Sequence, residues 1–327
     1  MKIFSLTAIL TTVIIQIGLT QITPESRGFK SYQIKLKSDT INFFIYSPDN
    51  IQKRDLLIHI DGSLPAPLWI ETNPCRVTLD PFNYALIPKN YAYVVISKHG
   101  FSFSAKEGFD IPSAFWVKNT LEFRVARVNQ VIKHIQNKLF KPDRIVVIGS
   151  SQGADVAAKL VAINRDITHL GFWASGGTTQ LLDFIMFTRK DLALGKIREE
   201  KATKIIDSLL NQFRIFFNDP SPYKMWDGNS YLSYKSFSEP PVNNLLKIDI
   251  PIYVAIGTAD ENVPIENSYI IPIEFARHKK YNLTFKPFSG YDHGFSETLP
   301  DGRQVTHWDE VTLDFLSWVE RNDNKKR

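Results

Sequence analysis

Short apolar runs recur along most of the chain and predict strands that are separated by helices. Residues 32–37 and 41–46 alternate apolar and polar positions, which is typical of half-buried hairpin strands. Later runs are continuously apolar and rich in β-branched side chains, as in strands that helices cover on both faces. These runs predict strands at residues 56–60, 93–96, 144–148, 169–174, 252–256 and 283–288.

Two amphipathic segments predict long helices that would pack on these strands. Residues 115–138 place apolar side chains at helical spacing, namely Val117, Leu121, Val125, Val128, Ile132 and Ile135. The chain closes with a predicted helix at residues 307–320, whose apolar face carries Trp308, Val311, Phe315 and Val319. Strands that alternate with helices predict the α/β class, with a mostly parallel central sheet covered by helices on both faces.

Residues 178–247 interrupt this alternation, and we call them the 178–247 segment. The segment predicts helices at residues 181–187 and 199–217 and then an aromatic loop at residues 223–237. We interpret it as a helical lid insertion that covers one end of the sheet. Its aromatic side chains would either cover an acyl or aryl group of a substrate or form the core of the insertion itself: Phe184, Phe187, Phe213, Phe216, Phe217, Trp226, Tyr231 and Tyr234.

The first twenty residues have the pattern of an export signal. Lys2 supplies a positive charge, and residues 3–19 form a largely apolar run that is too mixed for a typical spanning helix. Residues 1–20 therefore predict a signal peptide, with an uncleaved membrane anchor as the alternative. The remaining domain, residues 28–327, has no second long apolar stretch, so we expect a secreted or periplasmic protein whose mature chain does not span a membrane.

Composition and charge exclude several classes of function. Among 327 residues, 43% are apolar and 22% charged, which is typical of a globular protein, and the single cysteine, Cys75, excludes a disulfide scaffold. The net charge of +5 is dispersed apart from Lys325-Lys326-Arg327, so no nucleic-acid partner is expected. Dinucleotide, P-loop and zinc-protease motifs are all missing, so neither a cofactor nor a metal is expected. Nothing in the sequence indicates an oligomeric state.

The clearest chemical pattern is Gly149-Ser150-Ser151-Gln152-Gly153, a G-x-S-x-G directly after a buried strand and before a helix. A serine on a sharp strand-to-helix turn has a strained backbone, and bulky residues two positions away would collide. The two glycines remove these collisions and leave the Ser151 hydroxyl exposed at the end of the sheet. The start of the following helix also offers unpaired N–H groups to a developing negative charge.

A serine nucleophile needs a base and a carboxylate that orients the base. Of seven histidines, His293 alone lies in a turn-rich loop directly after the last predicted strand, where open α/β sheets place their ligands. Asp260 follows the preceding strand, and Glu261 is a weaker competitor. The other histidines fall in helices, strands or surface loops, where structural roles are expected: His59, His99, His134, His169, His278 and His307.

Three segments together resemble the α/β-hydrolase superfamily over nearly the whole mature length: residues 145–153, residues 257–264 and residues 292–295. The resemblance implies that Ser151 is the nucleophile, Asp260 the acid and His293 the base. Residues 59–65 also resemble the oxyanion loop of the family. This likeness implies backbone N–H donors on Gln152 and Ser63, with Leu64 as the alternative to Ser63. The direction of the neighbouring Asp61 carboxylate is left open.

These residues predict an exported serine hydrolase that cleaves a carboxylic ester, with a small-molecule or acyl substrate, through an acyl-enzyme. One alternative is a serine peptidase that resembles the prolyl-oligopeptidase catalytic domain. The other is a non-catalytic member of the fold that binds a ligand or another protein.

Overall fold

The computed structural model describes residues 22–37, 39–47, 55–72 and 76–323. The predicted signal peptide, Cys75 and the basic tail at residues 325–327 lie outside the described residues. No helix within the described ranges is long and apolar enough to cross a membrane.

The described residues form a central sheet of eight strands with three small accessory sheets. The strands are Phe29–Lys35 (β1), Thr40–Tyr46 (β2), Asp55–Ile60 (β3), Trp69–Glu71 (β4), Arg76–Thr78 (β5), Tyr91–Ile96 (β6), Ser104–Lys106 (β7), Ile145–Ser150 (β8), His169–Trp173 (β9), Met225–Trp226 (β10), Asn229–Ser230 (β11), Ile252–Gly257 (β12), Leu283–Phe288 (β13), Ser296–Thr298 (β14) and Gln304–Thr306 (β15). The central sheet has the order β1-β2-β6-β3-β8-β9-β12-β13. The pairs β1–β2 and β2–β6 are antiparallel, and all pairs from β6 to β13 are parallel.

Helices cover both faces of this sheet. They are Ser113–Lys118 (α1), Leu121–His134 (α2), Gln152–Ile163 (α3), Gln180–Ala193 (α4), Glu199–Asn218 (α5), Tyr231–Ser236 (α6), Pro241–Leu245 (α7), Ile265–Arg277 (α8) and Trp308–Asp323 (α9). Successive strand residues point to opposite faces, and in β3 Ile58 packs with α2 and α3 whereas Leu57 packs with α9. The prediction of a mostly parallel sheet between two helical layers is confirmed.

The prediction of one continuous helix at residues 115–138 is wrong. The helix is divided into α1 and α2 at Asn119 and Thr120, and a π-helical turn at Ile135–Leu139 follows α2. The Thr120 side chain caps α2 by accepting the Phe123 N–H at 3.2 Å. The apolar stripe continues across the break, so periodicity alone did not reveal it.

The predicted aromatic loop at residues 223–237 is also wrong. It contains the small hairpin of β10 and β11 and the helix α6. Three buried rings of the 178–247 segment, Phe213 and Phe216 of α5 and Tyr234 of α6, form a cluster separate from the cores on the two faces of the sheet. The role of the 178–247 segment as a lid stays a prediction.

The parallel strands place their carboxyl ends at one edge of the sheet. The segments that follow β3, β8, β12 and β13 therefore converge there, and each carries one of the residues that the sequence singled out. This edge is the candidate site.

Candidate active site

Ser151 occupies the sharp turn between β8 and α3. Its backbone has φ 54° and ψ −132°, a conformation that costs free energy for a residue with a Cβ. A Cβ on Gly149 would lie 2.6 Å from the carbonyl carbon of Gly153, and a Cβ on Gly153 would lie 2.5 Å from the carbonyl oxygen of Asp61. Only glycine fits at both positions, which is the steric reason for the G-x-S-x-G spacing.

His293 and Asp260 form the second part of the site. His293 Nδ1 lies 2.8 Å from Asp260 Oδ2, and because an ionised carboxylate only accepts, Nδ1 carries the proton. The other oxygen, Oδ1, accepts the N–H groups of Asn262 and Val263 at 2.7 and 2.8 Å. Asp260 is thereby held in a buried position, and it leaves His293 Nε2 as the ring nitrogen available for proton transfer.

The two acidic neighbours that could compete with Asp260 are placed differently. Asp292 accepts the N–H groups of Gly294 and Ser296, both at 2.8 Å, so it shapes the loop that carries His293. Glu261 lines the cavity next to the serine, and the imidazole partner is Asp260.

Ser151 and His293 line the same cavity, whose volume is about 600 Å³. Among the described residues no hydrogen bond joins Ser151 to His293. Catalytic hydrogen bonds are often long without substrate and shorten in the complex. The structure thus joins the histidine to its carboxylate and brings the serine and the histidine to one cavity.

The 178–247 segment supplies part of the cavity wall. Of its aromatic residues singled out from sequence, Phe184 and Phe187 line the cavity, and Phe237 joins them. The others behave differently: Phe217 is 45% exposed, and the rest pack in the aromatic cluster of the segment. Both interpretations of the aromatic residues therefore apply, and Phe184 belongs to both groups because it also packs against the aromatic cluster.

The predicted oxyanion donors lie beside the serine. Gln152 is the first residue of α3, where backbone N–H groups lack acceptors within the helix. A Cβ on Gly62 would lie 3.1 Å from the Ser151 Cβ, so the 62–63 peptide passes close to Ser151. Gln152, Ser63 and Leu64 all line the cavity.

The Asp61 carboxylate is paired with two buried cations. It contacts Lys98 Nζ in a close ion pair and Arg124 Nη2 at 3.2 Å. Burial lowers the pKa of Lys98 to about 8, so its ammonium still carries charge at neutral pH. One carboxylate against two cations leaves a net positive charge behind the segment of the predicted oxyanion donors, and such a charge favours a negative charge that develops beside it.

A second pair of a serine and a histidine lies next to Ser151, and its histidine is buried. His59 Nε2 is 2.9 Å from Ser150 Oγ, and His59 Nδ1 is 3.8 Å from Asp80. Burial lowers the pKa of His59 to about 4, which keeps the ring neutral, and raises the pKa of Asp80 to about 6. This arrangement belongs to the core beneath the site, as the structural role predicted for His59 requires.

Sequence reasoning missed several polar residues at the site, among them Lys98, Asp155 and Asp183 in the cavity wall and Arg124 behind residues 61 and 62. Asp155 accepts the Ser175 hydroxyl at 3.0 Å, and Asp183 contacts the side chain of Asn267. Burial raises the pKa of Asp155 to about 8 and that of Asp183 to about 7. Arg124 alone left a trace in the sequence, because it interrupts the apolar stripe of its helix. In the described ranges no group of three or more His, Cys, Asp or Glu residues could hold a metal ion.

Comparisons with known proteins show the fold. No protein-family model matches the chain, and no curated protein matches it in sequence. The acylaminoacyl peptidase of Pyrococcus horikoshii superposes with a TM-score of 0.53 and 14% identity, over 82% of this chain and 37% of that one. A cold-adapted esterase from an Arctic intertidal metagenomic library superposes with a TM-score of 0.51 and 12% identity, over 88% of this chain and 92% of its own. An esterase of Pyrococcus furiosus superposes with a TM-score of 0.51 and 16% identity, over 84% of this chain and 87% of its own.

These structures share the α/β-hydrolase fold, and the chain has this fold, as the resemblance of its motifs implies. The chain spans just over a third of the length of the acylaminoacyl peptidase, 37%. At 12–16% identity the likeness establishes the architecture.

Proposed function

We propose that the chain is a serine hydrolase in which Ser151 attacks a carbonyl carbon, His293 is the base and Asp260 orients it. The observation that carries the proposal is the hydrogen bond of 2.8 Å between His293 and Asp260, on the rim of the cavity that also holds the strained Ser151. The order of these residues along the chain, serine, aspartate, histidine, is the order that this fold uses.

In the first step, the Ser151 oxygen forms a bond to the carbonyl carbon while His293 Nε2 accepts the hydroxyl proton. The N–H groups of Gln152 and Ser63 hold the oxyanion of the tetrahedral intermediate. The intermediate then expels the leaving alcohol, which takes the proton from His293. Asp260 stabilises the imidazolium during this interval and keeps Nδ1 protonated.

In the second step, a water molecule gives a proton to His293 and attacks the acyl carbon. The bond to Ser151 breaks, the serine regains a proton, and the acid leaves. General-base help contributes roughly 10²–10⁴-fold and one oxyanion donor about 10²–10³-fold, so the positioned nucleophile and these groups act as one unit.

The bond that we favour is a carboxylic ester. The cavity wall combines apolar side chains, Leu64, Phe184 and Phe187, with the nucleophile, and this combination suits an acyl or aryl group. A serine peptidase is the second candidate, supported by the acylaminoacyl peptidase that shares the fold. A non-catalytic binding protein is the third, and the intact candidate triad speaks against it.

A fluorophosphonate probe tests the proposal, because it modifies activated serines. We expect one label on the wild-type chain, no label on Ser151→Ala, and full labelling of Ser150→Ala, the matched control whose hydroxyl contacts buried His59. Turnover of p-nitrophenyl esters should fall about 10⁴–10⁶-fold in Ser151→Ala. An unlabelled wild-type chain, or a label that survives in Ser151→Ala, would exclude this serine hydrolase. Comparing p-nitrophenyl esters with aminoacyl-anilides then separates esterase from peptidase.

We also propose that residues 1–20 direct export and that the 178–247 segment covers the substrate as a lid. Export is supported by the positive start and apolar run of the sequence, and the lid is supported by Phe184 and Phe187 in the cavity wall. Mass spectrometry of the N-terminus of secreted protein tests the first proposal, and an unprocessed chain retained with the membrane would overturn it in favour of an anchor.

A further inference from the structure

Arg124 reaches the oxyanion loop and the nucleophile turn together. It lies in the first turn of α2, is 9% exposed, and its guanidinium makes four contacts. Nη2 donates to the Asp61 carbonyl at 2.6 Å and to its carboxylate at 3.2 Å. Nη1 donates to the Gly62 carbonyl at 3.3 Å and to the Gln152 side-chain oxygen at 3.1 Å. One planar group therefore binds residues from both segments that carry the proposed oxyanion donors.

The contact with Gly62 has a consequence for Ser63 because a peptide bond is planar. In a trans peptide the C=O and the N–H point in opposite directions. The carbonyl of the 62–63 peptide faces Arg124, so the N–H of Ser63 faces the other way. Since this peptide passes beside Ser151, fixing its carbonyl from behind fixes the direction of the N–H donor. A hydrogen bond to the carbonyl also polarises the peptide and strengthens that donor.

The contact with Gln152 holds the residue that carries the second proposed oxyanion donor. The side chain of Gln152 accepts from Arg124, and its backbone N–H is the second proposed donor. A cation behind both donors also lies in the direction that stabilises an oxyanion, and Lys98 satisfies the Asp61 carboxylate from its other side. Because Asp61 is shared between Lys98 and Arg124, its single negative charge does not fully cancel the positive charge of Arg124.

We propose that Arg124 is a positioning residue that sets the spacing and the polarity of the oxyanion hole. This inference rests on the proposed serine hydrolase function, and it adds a residue that touches neither the substrate nor the triad. Arg124 acts on the transition state through the peptides of Ser63 and Gln152, so its loss should lower kcat while KM changes little.

The same helix offers a matched control in Arg127. This residue is also buried, forms an ion pair with Asp39 and donates to the Ser97 carbonyl at 2.9 Å. It makes no contact with Asp61, Gly62 or Gln152 among the described hydrogen bonds. If a buried arginine on α2 has only a structural role, replacing Arg124 or Arg127 should have similar effects. An effect on the oxyanion hole should appear only when Arg124 is replaced.

The experiment compares Arg124→Lys with Arg127→Lys on a p-nitrophenyl ester and on the matching thionoester, in which sulfur replaces the carbonyl oxygen. Sulfur is a weak hydrogen-bond acceptor, so the ratio of oxo to thiono turnover measures the oxyanion hole. Lysine cannot bind the two carbonyls and the amide together. We expect kcat on the ester to fall about 10²-fold in Arg124→Lys, KM to change less than about threefold, and the oxo preference to shrink. Arg127→Lys should keep the wild-type ratio.

Gln152→Ala provides a second variant if Arg124→Lys fails to fold. It keeps the backbone donor and removes the side-chain contact with Arg124, so we expect a fall of about tenfold in kcat with a smaller oxo preference. An unchanged ratio in Arg124→Lys and Gln152→Ala, or an equal change in Arg127→Lys, would overturn the inference. Loss of turnover in Ser151→Ala would still support the proposed function in that case, whereas turnover that survives in Ser151→Ala would remove the proposed function as well.

Discussion

At the scale of single residues, two glycines permit the strained turn at Ser151. Their absent side chains leave room for the approach of α3 to β8 and of the backbone of residues 60 and 61 to the turn. A side chain on Gly153 would meet the backbone of Ile60 and Asp61, which cannot move aside as a flexible side chain can.

Gly153→Ala should therefore destabilise the protein by more than about 3 kcal/mol, at or beyond the upper end of typical overpacking. Urea unfolding measures the change. Gly195→Ala is the control: its φ is 71° but its Cβ would meet nothing within 4 Å, so the cost should be about 1–2 kcal/mol for the left-handed backbone. Equal costs at the two positions would contradict the steric account.

The cavity carboxyls predict how stability depends on pH. Burial raises the pKa of Asp155 from its ordinary 3.8 to about 8. Between about pH 4 and pH 8 the folded chain therefore holds a proton that the unfolded chain has released. The free energy of unfolding falls as the pH rises through this window.

Asp155→Asn removes this proton and should flatten the decline. Its free energy of unfolding, relative to the wild type, should be higher at pH 8.5 than at pH 5. Urea unfolding at the two pH values measures the difference, and Asp183→Asn should act in the same direction because burial raises the pKa of Asp183 to about 7. Parallel pH profiles for wild type and Asp155→Asn would show that Asp155 ionises freely in the folded state.

The triad candidates could be predicted from sequence because each has a local signature. Ser151 lies between two glycines, and Asp260 and His293 follow strands directly. Lys98 and Arg124 have no such local signature, because their role depends on contacts with Asp61, which is distant from both in the sequence. The position of Arg124 on the apolar stripe of α2 indicates that it is buried, but only the fold shows that it contacts residues 61 and 62.

At the scale of elements, the break between α1 and α2 shows what periodicity omits. The helical spacing of apolar residues continues from Val117 to Leu121, yet the helix is broken between them at residues 119 and 120. Part of the cause lies more than a hundred positions away: Ser236 of α6 accepts the Leu121 N–H at 2.7 Å and contacts Glu122. A contact of this kind has no counterpart in the local pattern.

Thr120→Ala should destabilise the protein by about 1 kcal/mol, because the first turn of α2 loses the side chain that accepts the Phe123 N–H. Chemical unfolding measures the loss, and Thr120→Ser, which keeps the hydroxyl, should recover most of it. Since the same turn carries Arg124, a modest fall in kcat should accompany the loss of stability. A Thr120→Ala variant as stable as the wild type would show that Ser236 alone holds the start of the helix.

At the scale of the whole molecule, alternation of strands and helices was sufficient to predict the parallel sheet and its two helical layers. It was insufficient for the 178–247 segment, where the predicted loop is a hairpin and a helix. Parallel strands need crossover connections, and the repeated alternation of strands and helices along the chain supplies them. Part of the inserted segment packs on itself in the aromatic cluster, so this rule does not constrain it.

The separate aromatic cluster suggests that the 178–247 segment opens independently of the sheet. Phe216 is fully buried there, and its ring stacks on Tyr234 with centroids 4.7 Å apart. Truncation of a buried phenylalanine costs about 3–5 kcal/mol, and about 1.4 kcal/mol corresponds to a tenfold change in an equilibrium constant. Phe216→Ala should therefore raise amide hydrogen exchange in α5 by about 10²-fold or more, while exchange in β8 stays unchanged.

The control is Phe275→Ala in α8, whose ring packs in a core of the central sheet. This variant should raise exchange in β8 as well, because it weakens the unit to which β8 belongs. Exchange that rises equally in α5 and β8 for both variants would show one cooperative unit, and the segment would then be a fixed wall of the cavity. Exchange confined to α5 in Phe216→Ala would give the segment the independent motion that a lid over Ser151 requires.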